Sequence, residues 1–173
     1  MATAQRIAVL ASNGRHPLPL PIEAQEMSGN RALVNALNQL YQSHSQSKFK
    51  EIILAAPDVD ADIFRQLAFA ITSQCQRVTL YASSADVALN ASFRFHHFPR
   101  AGESGERIVV LPGVDTIDAT KVDTGLLGHS YYGDNRSVLS DLFSLVRYDL
   151  PPEQGFGLIR HTLRQEVYWA FVP

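Results

Sequence analysis

Two apolar runs joined by one amphipathic helical pattern constrain this chain more than any other feature. In "EIILAAP", residues Glu51–Ala55 form a short apolar stretch closed by Pro57, which reads as a buried strand. "RVTLYAS" supplies a second strand, with the β-forming residues Val78, Leu80 and Tyr81. Between them, "DVDADIFRQLAFAITSQ" opens on N-cap candidates and sets Ile63, Leu67, Ala70 and Ile71 on one helical face. Two buried strands linked by a helix are the unit from which parallel sheets are built.

The same rhythm runs through the rest of the chain. Ile7–Ala11 fits a short strand, and Pro17, Pro19 and Pro21 in "NGRHPLPLP" rule out a central strand after it, since proline has no ladder donor. From Arg31 onward, Leu33, Leu37, Leu40 and Tyr41 line one face of a helix. "SADVALNAS" reads as a short helix or turn. "ERIVVLPG" reads as a strand ended by Pro112 and Gly113. "NRSVLSDLFSLVRYDL" reads as a helix with Val138, Leu142, Leu145 and Val146 turned inward, stopped by Pro151 and Pro152. The tail, with Trp169 and Phe171, carries no period that places it. The alternation predicts an α/β fold, a mainly parallel sheet flanked by helices.

Composition narrows the class. The 173 residues suit one domain, and 46 % hydrophobic against 18 % charged residues is a globular balance. A net charge of −2 with no basic stripe argues against nucleic acid as a partner. Cys75 is the only cysteine, so neither an internal disulfide nor a cysteine-based metal cage is available. No apolar run reaches the ~18 residues of a membrane span, and the first apolar patch is shorter than the ~7–15 residues of a secretory core. A cytoplasmic protein without cofactor is expected.

In open α/β sheets, chemistry collects beyond the carboxyl ends of the strands. That rule selects "APDVDAD", "SSADVAL" and "DATKVDTGLLGHSYYGDN". Two roles are open to Asp86 in the second loop: orienting a histidine ring, or capping the short helix behind it. His129, bracketed by Gly125, Gly128 and Gly133, is either a general base or a surface histidine. A candidate nucleophile at Ser28, with the Gly29 amide as oxyanion donor, then gives the order Ser, Asp, His of the α/β-hydrolase fold. Ser28 has a second available role as the N-cap of the helix that follows. His96 and His97 are adjacent, so their side chains diverge, and Asp58, Asp60 and Asp62 lack the glycine and distant glutamate of a calcium loop. No metal site is expected from either group.

"GNRALVNALNQL", "IILAAPDVDADIF", "VTLYASSADVALNAS" with "RAG", and "GVDTIDAT" with "GHSYY" resemble a bacterial α/β-hydrolase family of unknown function, over roughly Ser28–Val146. The resemblance implies Asp86 as triad acid and His129 as triad histidine. It also exposes two departures. The elbow of that family reads His-Ser-Met-Gly-Asn-Arg, and registering on Gly29, Asn30 and Arg31 puts Met27 in the serine position, Ser28 in the methionine position and Glu26 in the histidine position. The family also carries a long amino-terminal half, including the strand that feeds the elbow, where this chain has residues 1–26 of unfamiliar sequence. Residues 27–173 then correspond to the C-terminal part of a hydrolase domain that lacks its amino-terminal strands.

Two functions follow as expectations. One is a serine hydrolase cleaving an ester or acyl bond of a small molecule, weakened by the displaced elbow serine. The other is a truncated, catalytically inactive remnant that acts as an interaction module and forms a homo-oligomer through an exposed sheet edge.

Overall fold

The computed structural model describes residues 8–11, 29–44, 49–84, 98–122 and 136–172. Its centre is a six-stranded sheet: β1 (Ala8–Ala11), β2 (Phe49–Ala55), β3 (Cys75–Ala82), β4 (Val114–Asp118), β5 (Leu158–Leu163) and β6 (Glu166–Phe171), in the order β1-β2-β3-β4-β6-β5. The first four strands and β6 run parallel, and β5 returns antiparallel along β6. Three helices flank the sheet among the described residues: α1 (Gly29–Gln42), α2 (Ala61–Ser73) and α3 (Arg136–Tyr148).

Side chains alternate across a strand, so β2 divides its apolar run between two cores. Ile52 and Leu54 join Val34 and Leu37 of α1, Phe64 and Ile71 of α2, and Val78 and Leu80 of β3. Ile53 faces the opposite layer with Tyr81, Ile117, Trp169 and Phe171, beneath Val138 and Leu145 of α3. Burial on both faces is why the strand reads as continuously apolar.

The β2–α2–β3 unit forms as its pattern requires. Asp60 caps α2, its Oδ1 accepting from the amides of Asp62 at 2.8 Å and Ile63 at 3.0 Å. The inward face differs by one position from the apolar reading: Phe64 is fully buried while Ile63 is 51 % exposed. On α3 the inward set is Val138, Asp141, Leu142 and Leu145, and Val146 faces outward. A buried carboxylate takes the place that the apolar pattern assigns to valine. Asp141 is held there by the Tyr81 hydroxyl, which donates to its Oδ2 at 2.5 Å. Burial raises the Asp141 carboxyl above its ordinary pKa, and the hydroxyl partly opposes that shift.

Three strands remain to be compared with the sequence reading, and one of them is a correction. Ile108 and Val109 of "ERIVVLPG" are buried but not in a strand; β4 begins beyond Gly113, and Thr116 Oγ1 donates back to the Val109 carbonyl at 2.8 Å. The tail forms the β5–β6 hairpin through Arg164 and Gln165, whose φ values are +51° and +75°. The strand expected at Ile7–Ala11 forms over Ala8–Ala11, in parallel register with Glu51–Leu54.

Candidate active site at the carboxyl edge of the sheet

The carboxyl ends of the parallel strands are fastened to one another by short contacts that gather the family-like motifs. The exit of β2 turns at Ala56, which takes φ +41° and donates its amide to the Tyr81 carbonyl at 2.9 Å. The backbone of Gly102 lies directly against that turn. A Cβ on residue 102 would stand 2.3 Å from the Ala56 carbonyl carbon, so glycine is required for the close approach. Gly102 donates to the Pro57 carbonyl, Ala101 to Val59 and Ala61 to Pro99, which zips "AAPDVD" to "PRAG".

The start of α1 is tied to the same loop. Asn30, fully buried, donates Nδ2 to the Ala55 carbonyl at 3.3 Å, and Arg31 donates Nε to the Asp58 carbonyl at 2.9 Å. Asp58 also faces the buried Arg100, with Oδ1 and Nε 3.1 Å apart. These contacts fix the first turn of α1 over the exit of β2. Between α1, α2 and Phe98–Arg100 lies a cleft of about 380 Å³, with Val34 and Val59 among its apolar walls and Arg31 and Arg100 at its polar side.

The exits of β3 and β4 are joined next. The two strands are neighbours and end level, Ala82 opposite Asp118. Ser84 donates both its amide, at 3.0 Å, and its hydroxyl, at 3.2 Å, to Thr120 Oγ1. Thr120 is itself held by a bond from its amide to Asp118 Oδ1 at 2.9 Å.

Of the residues expected to carry chemistry, Gly29 is the first residue of α1. Ser28, Asp86 and His129 lie outside the described residues, as do Met27, His96 and His97. The three aspartates of "APDVDAD" have the turn and cap roles of a strand-to-helix connection: Asp58 pairs with Arg100, Asp60 caps α2 and Asp62 pairs with Arg65 at 2.7 Å.

Among the described residues, the most perturbed carboxylate is one that the sequence reading passed over. Glu51 is 3 % exposed, accepts from the Thr79 hydroxyl at 3.1 Å, and has Arg77 Nη1 3.9 Å away. Arg77 is shared with Asp149 at 3.0 Å and Asp115 at 3.6 Å. Burial therefore dominates over the guanidinium and pushes the Glu51 pKa up to about 7. Burial likewise raises Asp115. Clusters of shifted acids often mark active sites. This one stands at the amino halves of β2, β3 and β4, the end of the sheet opposite to the loops above. It ties the end of α3 to the sheet through Lys50 and Arg77, both 3.0 Å from Asp149. Its only sequence signal was a glutamate opening an apolar run.

No described helix is long and apolar enough to cross a membrane. Comparison with curated proteins and with solved structures found no match. Residues 22–146, most of the chain and all of the motif-bearing loops, match the family described as alpha/beta hydrolase of unknown function (DUF900). With its mainly parallel sheet flanked by helices, the chain belongs to that alpha/beta hydrolase family.

Proposed function

We propose that this protein is a serine hydrolase of the ester- or acyl-cleaving type, with His129 as general base, Asp86 orienting it, Ser28 as nucleophile and the Gly29 amide as oxyanion donor. One observation carries the reading: the segments leading to Asp86 and to His129 leave adjacent parallel strands and are bonded to each other at Ser84 and Thr120. Ser28 directly precedes α1, and the residue after a nucleophile supplies an oxyanion-hole amide in this fold. His129 would accept the Ser28 proton as the hydroxyl attacks the substrate carbonyl, and would return it to the leaving alcohol or amine. Asp86 would hold the imidazole tautomer and stabilise the imidazolium formed in that step.

The sequence departs from the family elbow at the point that matters most. Methionine at position 27, where the family elbow has its serine, has no proton to surrender. A triad without a competent nucleophile keeps only ~10³–10⁴ of rate over water. The expected activity is therefore low. Incubation with a fluorophosphonate probe, followed by peptide mass spectrometry, tests the reading: labelling at Ser28, lost in Ser28→Ala and in His129→Ala, supports it. A parent protein that takes up no label ends it.

A second reading, a non-catalytic module that associates with a second copy, is favoured by the exposed apolar stripe Leu139, Phe143 and Val146 on α3 and by the position of β5 at the edge of the sheet among the described residues. Sedimentation that returns a monomer at all accessible concentrations would exclude it.

A further inference from the structure

We propose that Arg77 is a pH-dependent clasp on the end of α3: it holds Asp149 while Glu51 carries a proton, and is drawn from Asp149 toward Glu51 when that proton is lost. The clasp sits at the amino end of the sheet, away from the strand exits, and stands independently of the triad. Three features carry it.

The first is what Arg77 does for the helix. α3 ends at Tyr148, and Asp149 takes φ +60°, a left-handed conformation that a side chain disfavours. The Asp149 amide donates back to the Leu145 carbonyl at 3.0 Å. Arg77 Nη1 donates to Asp149 Oδ1 at 3.0 Å, and to the main-chain carbonyls of Asp149 and Leu150 at 3.3 and 3.5 Å. A cation placed there satisfies the last carbonyls of a helix and complements its dipole. Lys50 Nζ, 3.0 Å from Asp149 Oδ2, adds a second.

The second is competition for one atom. Glu51 is the register partner of Arg77 across β2 and β3, and its Oε2 lies 3.9 Å from the same Nη1, beyond hydrogen-bond distance. That nitrogen has two protons for the three acceptors at the end of α3. A closer approach to Glu51 is therefore made at the expense of those bonds.

The third is the balance of charge. Arg77 and the Thr79 hydroxyl face Glu51 from β3, Asp115 acts on it from β4, and Asp149 from the end of α3. Glu153 adds an acid beside Asp115, and the buried Tyr81 hydroxyl, bonded to Asp141, stays neutral. With Glu51 ionised, three carboxylates share Arg77 while Lys50 serves Asp149 alone. A proton on Glu51 relieves that excess, and burial holds it there up to a pH of about 7. Above that pH the ionised Glu51 attracts the guanidinium and repels Asp149, so the end of α3 opens more often. Linkage makes the effect reciprocal: without the Asp149 charge, Arg77 is released to Glu51 and the Glu51 carboxyl becomes more acidic.

Hydrogen exchange of the full chain, followed by nuclear magnetic resonance from about pH 5.5 to about pH 8.5, tests the clasp. After correction for intrinsic exchange, protection of the Asp149 amide falls about two- to fivefold in the parent, the factor that a half-exposed ion pair supports. It stays level in Glu51→Gln. The Gln74 amide, bonded to the Ile71 carbonyl at the end of α2, keeps its protection in both and separates local opening from global unfolding. The second measurement, needed if Glu51→Gln does not fold, is the ¹³C titration of the Glu51 carboxyl. Its midpoint lies near pH 7 in the parent and moves to lower pH in Asp149→Asn. Protection at Asp149 with the same pH dependence in the parent and in Glu51→Gln overturns the clasp. So does a Glu51 carboxyl that titrates in the ordinary carboxylate range, or one indifferent to Asp149→Asn.

Discussion

At the scale of single residues, the molecule places strong demands on two positions outside the proposed triad. Gly102 lies with backbone atoms of Ala56 and Pro57 at 2.3–2.4 Å from where a Cβ would stand. Gly102→Ala is expected to force "AAPDVD" and "PRAG" apart at a cost of about 3 kcal/mol. Calorimetry should then show the Tm lowered by roughly 6–12 °C. Glu51 makes the opposite kind of demand, on pH. Its folded pKa of about 7 lies above the ordinary 4.5, so the folded state binds the extra proton. Its contribution to stability is complete below about 4.5 and is lost as pH rises through about 7, a change on the order of 3 kcal/mol. Urea midpoints measured from pH 5 to 8.5 should fall more steeply for the parent than for Glu51→Gln, which has no proton to lose. Parallel curves would show that Glu51 is ionised without penalty in the folded protein. The importance of Glu51 was invisible in the sequence because burial, not residue type, makes a carboxylate basic. Gly102 stood in a recognised motif, but the backbone it touches lies far away along the chain.

At the scale of elements, legibility followed the strength of local signals. β2, α2 and β3 were readable because an apolar run, an N-cap and a helical period agree on one answer. β4 was misplaced by a few residues because Ile108 and Val109 are buried in extended chain without ladder bonds, and apolarity records burial alone. The inward face of α3 was read too far round because Asp141 occupies a core position that only the Tyr81 hydroxyl makes tolerable. The C-terminal hairpin had no signal at all. Its turn places Arg164 and Gln165 at positive φ, where Asn-Gly is the expected pair. Replacing both, Arg164→Asn with Gln165→Gly, should relieve that strain and raise stability by about 1 kcal/mol, read from the urea midpoint at unchanged slope. A lower midpoint would mean that the arginine or glutamine side chain makes contacts worth more than the strain.

At the scale of the whole molecule, the order of elements explains how loops far apart in the chain come together. Parallel strands side by side deliver successive loops to one edge, so residues distant in sequence, at 84 and 120, meet in space. The proposed pairing of Asp86 with His129 relies on that topology. It says nothing about the nucleophile, which depends on the backbone of a single turn, and there the displaced serine of "EMSGNR" leaves the family pattern. The acid and the histidine therefore decide whether this chain can act as a hydrolase. The most direct test is a crystallographic measurement of the separation between the Asp86 carboxylate and His129 Nδ1. A distance within about 3.2 Å, above the exits of β3 and β4, is the predicted result. Side chains pointing to different faces of the sheet, with no hydrogen bond between them, would contradict it.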